Sequence, residues 1–148
     1  MIYLTYPLCG AKTFTEDNKD SIYISKKLFQ NQETDKATFR DYIEYAIFIS
    51  KEYKNVFIDV DADIAEYCNK LENSDKIFTV IIPHVSLYEE WKQRASDEAE
   101  RTKDLYDVKM YGHIVDFFAS ELYMINSETF YLPKITIYDK DAKLRDLI

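Results

Sequence analysis

The chain has 148 residues, 47% hydrophobic and 16% aromatic, with two glycines and three prolines; this is enough apolar material for one domain to bury a core without disulfides or metal. Its 27 acidic and 19 basic residues leave a formal charge of −8, which excludes a surface built to neutralise nucleic-acid phosphates but leaves room for a basic protein partner. Cys9 and Cys68 have no metal-ligand spacing and are expected as buried free thiols; lacking a basic leader and a long apolar run, the chain is expected in the cytoplasm with no signal peptide and no membrane span.

Ile2 to Tyr6 is β-branched and aromatic, as suits a strand buried on both faces, and Pro7 ends it by removing a ladder donor. A short loop with Gly10, Lys12 and Thr13 follows, and Phe14 to Asp20 is too short and polar for a long helix. Ser21 to Ser25 reads as a second strand. Lys36 to Tyr53 places Phe39, Tyr42, Ile43, Ala46, Ile47 and Ser50 at helical spacing, with Thr34 or Asp35 as the N-cap.

Asn55 to Asp59 is then a buried strand, and Asp61 to Leu71 a short helix with Ile64, Tyr67, Cys68 and Leu71 on one side. Ile77 to Ile82 is the most continuous apolar run, which predicts a central strand of a parallel sheet. Ser86 and Glu89 have capping-box spacing, so a helix is expected from Ser86 with Tyr88, Trp91 and Ala95 facing inward, heavily charged from Ser96 to Asp104. A further helix is expected from Leu105 to Ile125, with Leu105, Val108, Gly112, Val115, Ala119 and Leu122 as its stripe. Pro133 precedes a last strand, Ile135 to Tyr138, and Ala142 to Ile148 closes as a helical turn.

Strands alternating with helices at this spacing predict an α/β class: three layers, a mostly parallel sheet of about five strands, and helices on both faces. Such sheets place their sites beyond the C-terminal strand ends. Those ends carry Pro7 to Thr13, Asp59 to Asp63, Pro83 to Ser86 and Asp139.

Several segments carry a resemblance. Tyr6-Pro-Leu-Cys-Gly-Ala-Lys-Thr13 follows the first strand, then come Phe39-Arg-Asp-Tyr-Ile43 and Tyr53-Lys-Asn-Val-Phe-Ile-Asp59. Thr79-Val-Ile-Ile-Pro83 with Leu87-Tyr-Glu-Glu-Trp-Lys-Gln-Arg94 completes the set. In this order they resemble short phage-encoded proteins related to phosphate-loop (P-loop) nucleoside monophosphate kinases, whose fold matches the class above. The resemblance implies ATP and Mg²⁺ as cofactors, with Gly10, Lys12 and Thr13 at the phosphates, Thr13 and Asp59 at the metal, and Lys12, Asp59 and Arg94 in catalysis.

The departures from that pattern bear on activity. Ala11 and Tyr6 stand where the loop motif has glycines, and such a loop needs glycines so that its backbone can approach phosphate. After Arg94 comes Ala95-Ser-Asp-Glu98, where the family shows a second arginine and a glycine, and an acidic lid repels polyphosphate. The expected function is therefore a kinase-like accessory protein with weakened or lost nucleotide chemistry, in the host cytoplasm.

The alternative is a non-catalytic inhibitor that sets Asp97, Glu98, Glu100, Asp104, Asp107 and a tyrosine-rich face against a basic host protein, such as a nucleic-acid-handling defence nuclease. Thirteen tyrosines favour such an interface where they are exposed. Asp59, Asp61 and Asp63 do not form a calcium loop, since the sixth position holds Ile64 and the twelfth Lys70. Asp59-Val-Asp61 resembles the aspartate pair of haloacid dehalogenase-type phosphatases, but Asp63-Ile64 departs from that pattern. His84 and His113 have no telling neighbours in sequence.

Overall fold

Five strands form one all-parallel sheet in the computed structural model, which describes residues 1–29 and 35–148. They are β1 (Ile2–Thr5), β2 (Ser21–Ile24), β3 (Asn55–Asp59), β4 (Phe78–Pro83) and β5 (Lys134–Ile137). Their order is β2-β3-β1-β4-β5, with Tyr3 beside Phe57 on one side and Thr79 on the other. The segments expected to be most buried are therefore the inner ones: Leu4, Phe57, Ile58, Val80 and Ile81 are fully shielded. Burial on both faces explains why they read as continuous apolar runs.

The connecting helices are α1 (Ala11–Asp17), α2 (Asp35–Ile49), α3 (Ala62–Asn69), α4 (Ser74–Ile77), α5 (Tyr88–Arg101), α6 (Leu105–Ile125) and α7 (Leu144–Leu147). Successive strand side chains point to opposite faces, so the partners of Tyr3 and Tyr6 identify the two outer layers. Tyr3 stacks on Phe57 at 5.1 Å, and Phe14 of α1 meets the same Phe57 ring. On the other face Tyr6 packs edge-on against Phe118 of α6 at 5.7 Å. Trp91 and Ala95 of α5 are buried as expected, and Tyr88 reaches Phe118 from the same layer. Among the described residues, no helix is long and apolar enough to cross a membrane.

Several boundaries differ from the sequence reading. Helix α2 begins at Asp35 and ends at Ile49, short of Tyr53; Thr34 lies outside the described residues. The stretch from Ala11 makes a two-turn helix, with Gly10 at its boundary in the left-handed region at φ 89°. The expected capping box at Ser86 does not form. His84 comes first: its ring Nδ1 accepts the Ser86 N–H at 3.2 Å and lies 2.8 Å from the Ser86 hydroxyl, tightening Val85–Leu87 into a 3₁₀ turn before α5.

The stripe expected on α6 is also displaced. Its buried positions are Ile114, Phe118, Glu121, Leu122 and Ile125, whereas Leu105 and Val108 are exposed. Its C-terminal half meets the end of β1 through Phe118, which packs against Tyr6. Its N-terminal half overhangs the strand ends and covers a cavity.

Candidate functional site

The chain leaves β1 toward β2 on one side of the sheet and leaves β3 toward β4 in the opposite direction. A change of direction between neighbouring strands opens a crevice at their C-terminal ends. There Pro7, Val60, Tyr106, Met110 and Ile114 line a cavity of about 410 Å³ together with charged residues from β3, α6 and the segment after β2. An apolar wall with a few convergent polar groups is the usual makeup of a small-molecule site.

Asp59, the last residue of β3, is held by both oxygens. Oδ1 accepts the Tyr23 hydroxyl at 2.6 Å and Oδ2 accepts the Lys26 main-chain N–H at 2.9 Å. Its own N–H donates to the Tyr42 hydroxyl at 2.7 Å, and that hydroxyl donates in turn to the Ile24 carbonyl. Burial raises the Asp59 pKa, and the Tyr23 and Lys26 hydrogen bonds counter only part of that shift. Two residues on, Asp61 caps α3 by accepting the Ile64 N–H at 2.9 Å, and its other oxygen pairs with the Lys26 ammonium.

Glu121 enters from the opposite wall and is 6% exposed. Its Oε2 accepts the Ala62 N–H at 2.8 Å, at the start of α3, and His113 Nε2 lies 3.3 Å from Oε1. Burial raises its pKa despite these partners. The Tyr6 hydroxyl is buried with no hydrogen-bond partner among the described residues; burial, then the Glu121 charge, pushes its pKa up.

Of the residues expected at a nucleotide site, only Asp59 lines this cavity. Lys12 and Thr13 are exposed on the first turn of α1. Gly10 supplies one left-handed position, and Leu8 occupies a second at φ 67°. Arg94 is committed elsewhere: its guanidinium donates to the Leu8 carbonyl and the Lys140 carbonyl at 2.8 Å each and to Glu90 at 3.2 Å, and it stacks over Trp91. Trp91 Nε1 donates to the Pro7 carbonyl at 2.8 Å. Helix α5 thus grips two successive carbonyls of the loop after β1. The arginine that the resemblance sets at phosphate is not free but spent on the backbone. Nor do three His, Cys, Asp or Glu side chains gather around a metal-sized space among the described residues.

The acidic group between α5 and α6 is largely tied down. Asp104 caps α6 by accepting the Tyr106 N–H at 2.8 Å and pairs with Lys27 at 2.7 Å. Asp107 lies 3.4 Å from the same ammonium and accepts the Thr102 hydroxyl. Glu98 pairs with Arg101 and Asp97 accepts from Gln93, while Glu100 is exposed. Cys9 and Cys68 are free and buried, with the Cys68 thiol pushed up to about 12.

Sequence reasoning did not select Glu121, His113, Tyr23 or Lys26. Glu121 did leave a trace: it falls seven residues after Ile114 and three after Phe118, on the face that the helix buries. No protein-family model matches the chain, and comparison with curated proteins finds no relative.

Proposed function

We propose that this chain is a phage-type P-loop kinase-like accessory protein that has kept the kinase-like sheet and given up nucleotide chemistry, so that it acts by binding. The observation that carries this reading is the engagement of Arg94 and Trp91 with the carbonyls of Leu8 and Pro7. A phosphate loop works by turning its N–H groups toward an anion, with lysine and arginine free to neutralise it. Here the arginine of the helix after β4 fastens the loop instead, and Lys12 and Thr13 stand in solvent apart from the Asp59 cavity. The test is a phosphoryl-transfer assay with ATP, Mg²⁺ and a mixture of nucleoside monophosphates. No turnover above a protein-free control is expected; turnover abolished by Lys12→Ala would overturn the reading.

The exposure of Tyr123, Tyr131 and Tyr138, each at least 70% accessible, favours a second reading as an inhibitor that docks on a host protein. In that reading the tyrosines contribute more than Asp104 and Asp107, whose charge is already met by Lys27.

A further inference from the structure

We propose that the cavity between the end of β3 and the overhanging half of α6 binds a small organic cation, an ammonium or amidinium group carried on an apolar body. This goes beyond the loss of nucleotide chemistry and concerns a different set of residues. Three carboxylates and three basic side chains line the cavity, so the sign of the ligand follows from how they are placed. Asp61 and Lys26 neutralise one another. Lys109 is exposed and solvated, and His113 is half in water. Asp59 and Glu121 remain, 8% and 6% exposed.

Asp59 receives two short hydrogen bonds and Glu121 one from groups without formal charge, the half-solvated His113 ring lies 3.3 Å from Glu121 Oε1, and each oxygen keeps a second acceptor site. Desolvated carboxylates without a full countercharge are costly, and a ligand cation placed between them supplies it. The remaining wall suits a carbon body: Met110 and Ile114 from α6, with Pro7 and Val60 opposite. A volume of about 410 Å³ accommodates a single ring with a charged substituent. An anion would instead meet Asp59 and Glu121 at close range, with only solvent-screened Lys109 and His113 to attract it.

The experiment titrates benzamidine, neutral benzamide and benzoate into the full chain carrying ¹³C-methyl labels on Met110 and Ile114. Benzamidine is expected to shift both methyl signals saturably, and benzoate to leave them in place. Glu121→Gln, which keeps an acceptor for the Ala62 N–H, and Asp59→Asn are each expected to weaken benzamidine by about tenfold or more, as loss of a hydrogen bond to a charged group does. If either variant fails to fold, the titration of the unaltered chain still decides. Three results overturn the proposal: no saturable shift up to about 10 mM, where a ligand of millimolar Kd is nearly saturated; benzoate or benzamide matching benzamidine; or affinity indifferent to both substitutions.

Discussion

Asp59 and Glu121 are carboxylates held out of water, and their protonation couples to folding. Burial raises both above their ordinary values of 3.8 and 4.5, so the native state binds these protons more tightly than the unfolded chain does. Their ionised forms therefore oppose folding near neutrality. That opposition is relieved as pH falls through the raised native values, and it stops changing below the ordinary ones. Asp59→Asn with Glu121→Gln removes the effect. In urea unfolding, the stability of the double variant relative to the parent should fall as the buffer goes from about pH 7 to about pH 4. A difference that stays constant with pH would contradict the assigned burial. At this scale the sequence is only half legible: Asp59 stands at a strand end, but the Tyr23, Lys26 and Tyr42 groups that hold it come from segments 17 to 36 residues away.

Helix α5 is the element that fixes the loop after β1. Trp91 is fully buried, and its indole N–H satisfies the Pro7 carbonyl. Trp91→Phe keeps an aromatic ring but leaves that carbonyl without its donor and a small void beside it, at a cost of about 1 to 3 kcal/mol. Amide exchange should quicken at Cys9, Gly10 and Ala11 more than in β4; unchanged exchange there would mean that α5 does not anchor the loop. Elements are the most legible scale, because strand runs and helical spacing are local properties. What fails is whatever depends on a neighbour. His84 displaces the Ser86 capping box, and the stripe on α6 shifts as Tyr106, Met110 and Ile114 of its N-terminal half line a cavity.

The whole molecule joins an all-parallel α/β layout to a loop whose carbonyls are held by α5. The parallel sheet and its layers follow from alternating strands and helices, which is why the order of elements along the chain suffices to predict them. The fate of Arg94 is not predictable in this way, since its partners Leu8 and Lys140 lie 86 and 46 residues away in the chain. Scaffold and chemistry are separable for widely used folds generally, so the sheet alone assigns no reaction. The most direct measurement is a calorimetric titration of Mg²⁺-ATP into the full chain, with Lys12→Ala alongside. The predicted result is no saturable heat and no rise in Tm at saturating nucleotide, since a ligand stabilises only a fold that binds it. Stoichiometric binding that raises Tm and disappears in Lys12→Ala would contradict it.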